Sequence, residues 1–358
     1  MGLVDTLMGK ESSALLALDI SSSRVKLLEL TGDATRMQVK SYATEDLPPN
    51  AVADNQIANA EVVAEAIGKA VKRSDTRLNT AAVAVTGSSV ISKIIDMPAT
   101  LSEDEIEQQI GFEADQYIPY PIEDVSLDFQ ILGPSERDPD MNSVLLAACR
   151  RDTVDMRVAA VEMAGLRARL VDVEAYALQN ACQLLVSHLS GAGAGQTVAV
   201  VDFGASNTCV NVVHDQETVY TREQSFGGRQ LLEEIQRRME IPASEALRML
   251  RSGELASEVR SDVLPNFAEL MAQQIDRSLQ FFFSSFTESD TVDQVLISGG
   301  CALLPEIDEM VERHLGISTK VGNPLHGVRV SASARRNRVD MEGPALMVAT
   351  GLAMRSFH

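Results

Sequence analysis

The chain carries the same short pattern twice: LLALDISSSRVKLLEL from Leu15 and VAVVDFGASNTCVNVV from Val198. Each copy reads as an apolar strand, an aspartate, a turn of small residues and a second strand. Asp19 and Asp202 stand about half a chain apart, so the repeat points to two related halves, each presenting one acidic hairpin. Taken singly, Asp beside a turn of Ser, Gly and Asn is ordinary turn chemistry. As a pair, the hairpins can grip a nucleotide phosphate tail from both sides. Tight turns leave backbone N–H groups unpaired, and phosphate oxygens accept from such groups. On this reading Ser21, Ser22, Ser23 and Lys26 of the first copy face the phosphates, with Gly204, Ala205, Ser206, Asn207 and Thr208 of the second. The aspartates themselves repel phosphate. Their useful role is to hold a hydrated Mg2+, an ion that takes few carboxylates and keeps several waters.

Two further segments repeat a design of strand, paired glycines and helix: YTREQSFGGRQLLEEIQRRM from Tyr220 and DQVLISGGCALLPEIDEMV from Asp293. At Gly227-Gly228 the helix that follows offers free N–H groups and the positive end of its dipole to an anion. Gly299-Gly300, followed by Cys301, let the backbone approach a flat ring or a ribose because no Cβ stands in the way. Four such elements in this order resemble the actin-like ATPase superfamily, which includes actin, heat-shock chaperones, sugar kinases and the division protein FtsA. The hairpins look like its two phosphate motifs, and Ser298 to Cys301 like its adenosine motif. The resemblance implies an α/β fold of two related domains around a nucleotide cleft, with ATP and Mg2+ as ligands.

Composition narrows the class further. With 45% hydrophobic and 23% charged residues among 358, the chain can build a core in each half. The four cysteines, Cys149, Cys182, Cys209 and Cys301, show no paired spacing, and the five histidines are scattered. Buried thiols in a reducing compartment are expected, in place of a disulfide frame or a His/Cys metal site. Asp19 and Asp202 interrupt the best apolar runs before the ~18 residues a membrane span needs. The opening MGLVDTLMGK lacks the basic and long apolar regions of a signal peptide, and residues 1–13 read as a flexible N-terminus. A cytoplasmic protein is the expectation. A net charge of −20 argues against a nucleic-acid partner, because phosphate contacts need clustered Lys and Arg.

The acid is concentrated in one stretch. Between Ile94 and Glu136 stand eleven Asp and Glu and no Lys or Arg. Such a run is mostly a solvated face, yet it steers basic segments toward itself. The cytoplasmic tails of membrane proteins supply such segments. Before this stretch the chain reads as the first hairpin, a strand in RMQVKSYATEDL, a helix from Ala60 to Arg73 and the strand segment TAAVAVTGSSVISKIIDM. Within it, the Ser102/Glu105 capping box opens an acidic helix whose stripe is Ile106, Ile110, Ala114 and Tyr117. The turn Pro119-Tyr120-Pro121 and strands VSLDFQIL and NSVLLAACR follow. A helix, TVDMRVAAVEMAG, and a strand, RARLVDVEAYAL, return the chain to its first half. SGAGAG from Ser190 suits a hinge. The second half continues through a helix from Ala243 to Arg251 and a long one from about Val259 to Phe286. The last helix is ALMVATGLAM, in which Ala349 and Gly351 permit a close helix crossing.

GFEADQYIPYPIEDVSLDFQILGP, with LALDISSSRVKLLEL, LVDVEAYALQNA and a strand at Asn323-Pro324, is similar over essentially the whole chain to the PilM family. These are FtsA-like cytoplasmic proteins of type IV pilus assembly. The resemblance implies domain 1A over 14–87 and 151–190, an inserted subdomain 1C over 88–150, a hinge over 191–195 and domain 2 (2A and 2B) over 196–358. It also implies that a groove between 1A and 1C holds the N-terminal cytoplasmic tail of a PilN-like inner-membrane protein. Glu113, Asp115, Tyr117, Ile118, Pro119, Tyr120 and Pro121 would line that groove. Other pilus assembly ATPases or platform proteins join the expected partners, and the protein would associate with the inner membrane peripherally, through them. Tyr117, Ile118, Tyr120 and Ile122 beside an acidic flank suit a tail of alternating basic and apolar residues, although they would serve equally as the core of the insert.

Superfamily members orient the attacking water from the crossover after a late strand of the first domain, where Asp172 and Glu174 fall. Glu174 is the better match for a catalytic base, which must lie within hydrogen-bond reach of that water. It could equally cap the following helix. The first turn, Ile20-Ser21-Ser22-Ser23, lacks the glycine that many catalytic relatives keep, which weakens the catalytic reading. An ATP-binding scaffold with weak or no hydrolysis is the leading expectation. An active ATPase, or an FtsA-like filament or other homo-oligomer, is the alternative.

Overall fold

The computed structural model describes residues 14–33, 36–53, 56–285, 291–336 and 338–357, with backbone alone for 114, 115 and 336. Residues 1–13, expected to form a flexible N-terminus, lie outside the described residues. The first hairpin is β1 (Leu16–Ile20) against β2 (Arg24–Thr31), extended by β3 (Gln38–Asp46). After a small hairpin of β4 (Val52–Ala53) and β5 (Gln56–Ile57), α1 (Ala60–Ser74) leads into β6 (Thr80–Val85), which lies parallel to β1. Asn59 caps α1 by accepting from the Val62 N–H at 3.1 Å. β1 is buried at every position because both faces of the sheet are covered, and doubly covered strands are continuous apolar runs. Leu16 and Leu18 meet Val63 and Ile67 of α1 on one face, and Ala17 packs in a second core on the other.

The acidic stretch forms a unit of its own. β7 (Val90–Pro98), α2 (Glu103–Tyr117), β8 (Val125–Pro134) and β9 (Met141–Arg150) build a separate antiparallel sheet in the order β7-β9-β8, with α2 on one face. Ser102 donates from both its N–H and its hydroxyl to the Glu105 carboxylate at 2.8 Å, which fixes the start of α2. Ile106 and Ile110 then rest on Ile95, Met97, Val144 and Leu146. α3 (Arg151–Met163) starts where β9 stops, and β10 (Arg167–Val173) pairs with β6 in the first sheet.

The strand expected through RARLVDVEAYAL ends at Val173, and Glu174 opens α4 (Glu174–Ser187). β6 supplies pairing partners only as far as Val85, and beyond it Ala177, Leu178, Ala181, Cys182 and Leu185 are buried at helical spacing.

The second half repeats the first. β11 (Thr197–Phe203), β12 (Thr208–His214) and β13 (Glu217–Gln224) are antiparallel neighbours. α5 (Gly228–Met239), α6 (Ala243–Ser252) and α7 (Leu264–Ser285) follow, then β14 (Gln294–Ser298), α8 (Ile307–Leu315) and β15 (Thr319–Val321). The order β13-β12-β11-β14-β15 copies β3-β2-β1-β6-β10 strand for strand. The helix expected from Val259 begins instead as a π-turn over Val259–Val263. Pro265 has no N–H to give to the preceding turn, so the ladder widens there; Phe286 lies outside the described residues. The strand expected at Asn323-Pro324 is also absent. β15 ends at Val321, and the Asn323 side chain accepts from the Leu325 N–H at 2.9 Å, making a turn ahead of which Pro324 cannot donate.

The C-terminal segment returns to the first half. β16 (Arg329–Val330) adds to β3 in parallel, and α9 (Ala332–Arg336), α10 (Val339–Glu342) and α11 (Met347–Met354) follow. α11 crosses α4 so closely that a Cβ on Gly351 would lie 1.7 Å from the Ala177 carbonyl oxygen. Among the described residues no helix is long and apolar enough to cross a membrane.

Candidate functional site

The duplicated topology brings the two acidic turns face to face, with the Ser22 and Ser206 hydroxyl oxygens 3.0 Å apart across the cleft. The second turn is closed by the Gly204 N–H donating to the Asn207 carbonyl at 2.9 Å. Among the described residues the N–H groups of Ser22, Ala205 and Ser206 have no acceptor, and such groups form anion-binding concavities. Arg229, at the start of α5, donates to the Ser206 hydroxyl at 3.0 Å. These groups line a cleft of about 480 Å³ together with Ser88, Glu223, Gln224, Ser225 and Gln230. Every one of those side chains is polar, as a phosphate or ribose ligand requires. Ser88, Arg229 and Gln230 went unread in the sequence. The signal for Arg229 was a cation one residue beyond the paired glycines, where a helix N-terminus already favours an anion.

Lys26 sits opposite Asp19 across the first hairpin and donates to its carboxylate at 2.9 Å. Burial works against the Lys26 ammonium, but Asp19 and then Asp202 outweigh it, so its pKa is raised. Burial pushes Asp202 up to about 6, with Lys26 pulling it down and Asp19 pushing it up. The Ser298 hydroxyl donates to Asp202 at 3.2 Å. Glu174 is pushed up to about 7 by burial, then by Asp19, against the pull of Arg157. Arg157 of α3, only 3% exposed, donates to the Ile20 carbonyl at 3.4 Å. One lysine and one buried arginine thus partly neutralise three carboxylates.

No group of three or more His, Cys, Asp or Glu among the described residues could hold a metal ion. Two carboxylates fit an ion held mostly by water, as Mg2+ is. Since Lys26 already neutralises Asp19, Asp202 is the better placed of the two.

Several expected contacts lie behind the cleft instead of in it. Thr208 is fully buried and its hydroxyl donates to the Phe226 carbonyl at 2.8 Å. A Cβ on Gly227 would come 2.5 Å from the Gly204 carbonyl oxygen, and one on Gly299, at φ +84°, 2.3 Å from that of Phe203. Cys301 is buried, its thiol pointing at the Gly204 carbonyl. These four shape the turns from beneath. Gly228 is half-buried beside them, whereas Gly300 is exposed with open space where its Cβ would be. The Ser21 hydroxyl donates to the Arg24 carbonyl at 3.0 Å and holds the first turn, with Ser23 half-buried beside it.

Asp172 is bound at both oxygens by Arg355, at 2.6 and 3.0 Å, a structural tie to the C-terminal segment. Glu174 is the first residue of α4 and does not cap it; Val173 takes the cap position without a side-chain bond.

On the insert, Pro119, Tyr120, Pro121 and Ile122 are exposed. Glu113 accepts from the Tyr117 hydroxyl at 3.0 Å, and the Lys93 ammonium lies 5.0 Å from the Tyr117 ring centre. Ile118 is a correction. It is buried with Val125 and Ala148 in the insert's core and cannot meet a partner. The Asp115 side chain lies outside the described residues. Phe112, unread in the sequence, is 88% exposed, and it stands off the Ile106/Ile110 stripe that packs inward. The outer face of the insert's sheet reaches α4 through Ser92 and Tyr176, whose hydroxyl oxygens are 2.7 Å apart, with Ile94 exposed two residues on.

Residues 17–357 match the family model described as Type IV pilus assembly protein PilM. Among solved structures, the chain is 26% identical to one described as "PilM-PilN type IV pilus biogenesis complex", over 96% of this chain and 98% of that one, with a TM-score of 0.76. It shares 16% identity with the ethanolamine utilization protein EutJ from Carboxydothermus hydrogenoformans, over 95% and 89% of the two chains, at a TM-score of 0.56 that reflects fold alone. The duplicated sheets have the actin-like ATPase fold, and the chain belongs to the PilM family of type IV pilus assembly proteins.

Proposed function

We propose that this chain is an ATP-binding scaffold of type IV pilus assembly that holds the basic N-terminal tail of a PilN-like inner-membrane protein beside its acidic insert. The observation that carries the reading is the approach of Ser22 to Ser206, which sets the open amides of both turns around one polar cleft. Lys26, those amides and Arg229 would take the triphosphate, Asp202 a hydrated Mg2+, and Gly300 the adenosine. Bound Mg2+ would supply the positive charge that these carboxylates lack. In this reading the six-stranded sheet belongs to domain 1A, the three-stranded unit is subdomain 1C and the five-stranded sheet belongs to domain 2. Membership of the PilM family and the likeness to a PilM-PilN complex support the partner. The exposed Tyr120 and Ile122 beside an unneutralised acidic run supply its chemistry. Membrane association would be peripheral and follow from that partner.

Glu174 is the remaining candidate base. Its pKa, pushed up to about 7, lies near the operating pH as a general base requires, so the rate of phosphate release decides between scaffold and ATPase. The test is to measure ATP·Mg2+ binding, phosphate release and binding of a basic, apolar tail peptide on one preparation. The scaffold predicts ATP binding with negligible release, and peptide binding lost in Tyr120→Asp. Brisk release without peptide would overturn it in favour of an active ATPase.

A further inference from the structure

We infer that this chain contacts an anionic membrane surface directly, besides any hold through a partner's tail, using a basic corner of its first sheet together with its N-terminal segment. Five strands of that sheet start at one end, at Leu16, Gln38, Thr80, Arg167 and Arg329, because β3, β6, β10 and β16 all run in the direction of β1. The turn that faces the cleft, between Ile20 and Arg24, is at the other end. Arg36 lies in the connection from β2 to β3, at the starting end. Arg329 pairs with Gln38, and the Ser331 hydroxyl donates to the Lys40 carbonyl at 2.6 Å. The Thr76 hydroxyl donates to the Glu29 carboxylate at 2.7 Å, which brings the loop carrying Arg77 against β2. Arg36, Lys40, Arg77 and Arg329 are all exposed, and none is in an ion pair among the described residues. The exposed acids of the same loops are Asp33, whose carboxylate accepts from the Arg36 N–H at 3.0 Å, and Asp75. The corner is thus basic in a chain with 51 acids and 31 bases.

β1 begins at this same end, three strand spacings from β16, or roughly 14 Å. The Ala14 carbonyl accepts from the Thr80 hydroxyl at 3.3 Å, so the chain enters the fold here. The residues ahead of it read MGLVDTLMGKESS, with Leu3, Val4, Leu7 and Met8 at the spacing of one apolar helical face and Lys10 as the only base. Alone, such a face gets little help from anionic lipid, and stable attachment takes two signals, such as an apolar anchor and a polybasic patch. The segment supplies the anchor and the corner the patch. Thirteen residues can span up to about 40 Å, so both reach one surface. Each base close to an anionic leaflet strengthens partitioning about fivefold. The net charge of −20 does not oppose this at contact. The insert, with its run of acids, joins β6 and α3 at the far end of the sheet. β6 alone sets it roughly 20 Å away, against a screening length of about 8 Å. In this orientation the cleft faces away from the membrane and stays open to nucleotide.

Flotation of the full chain with lipid vesicles tests the contact. Wild type should float with vesicles of phosphatidylglycerol and phosphatidylcholine but not with phosphatidylcholine alone, and high salt should release it. Arg36→Glu/Arg329→Glu should lower the partition coefficient about tenfold or more, and Leu3→Asp/Leu7→Asp should do the same by removing the anchor. Melting temperature and nucleotide binding should be unchanged in both variants, because the corner is remote from the cleft and from the core. A wild-type chain that does not float, that floats equally with both kinds of vesicle, or whose flotation survives either pair of substitutions overturns the inference. Binding to a single-stranded oligonucleotide without flotation also overturns it and gives the corner to nucleic acid.

Discussion

Glu174 and Asp202 carry the same electrostatic demand. Half-buried without enough positive charge, their folded-state pKa values of about 7 and about 6 exceed the ~4.3 and ~3.9 of the unfolded chain. The folded protein therefore binds more protons than the unfolded one between about pH 4 and 7, and stability falls as pH rises through that window. Glu174→Gln should raise the melting temperature of the ligand-free protein at pH 7.5 and flatten its decline above pH 5.5, recovering on the order of 1–3 kcal/mol. A pH profile of melting unchanged by the substitution would show that Glu174 is not held as a strained acid. At Gly299 the demand is steric. Its φ of +84° and the Phe203 backbone leave no room for a methyl, so Gly299→Ala should cost at least about 1–3 kcal/mol in denaturant titration, and Gly300→Ala much less. The residue types of the site were legible in the sequence, but which way each faces was not. Ser206 and Thr208 read alike as turn hydroxyls, yet the pairing of Thr208 with Phe203 turns it inward and leaves Ser206 in the cleft.

Elements with a strong local period were legible: both hairpins, the acidic helix with its capping box, and the two strands of the insert. The misread boundaries have one tertiary and one local cause. β10 stops because its neighbour stops, and the Val259–Val263 turn reflects one proline near the start of α7. β16 is two residues long and depends on a partner almost three hundred residues earlier in the chain, so no local signal announces it. The α4/α11 crossing is the element-scale feature most exposed to test. Gly351→Val would force the two helices apart against the Ala177 carbonyl and the buried Met347, Leu352 and Leu178. Overpacking of this kind costs about 1–3 kcal/mol or more, and lower melting with the fold retained by circular dichroism is the expected result.

Across the whole molecule the two halves are joined at the mouth of the cleft as well as at its floor. Asp46, at the end of β3, pairs with both Arg24 and Arg251 of α6, and Arg24 reaches Glu342 at 3.2 Å. Arg24 directly follows the first acidic turn, so the link joins that turn to the far half. Asp46 is half exposed, and such pairs add less than about 1 kcal/mol of stability. Their effect should be on motion: Asp46→Asn is expected to speed nucleotide release in stopped-flow measurements while leaving the melting temperature within a degree or two. An unchanged release rate would leave the cleft held by its floor alone.

The return of the C-terminal segment governs how the chain is made. β16 completes the first sheet, the Leu15 N–H donates to the Ser356 hydroxyl at 2.9 Å, and Arg355 holds Asp172. A nascent chain emerging from the ribosome therefore cannot complete its first sheet and the contacts behind it until residues 329–356 have emerged. Until then the open edge of β3 and the uncovered face beneath α11 stay available to chaperones.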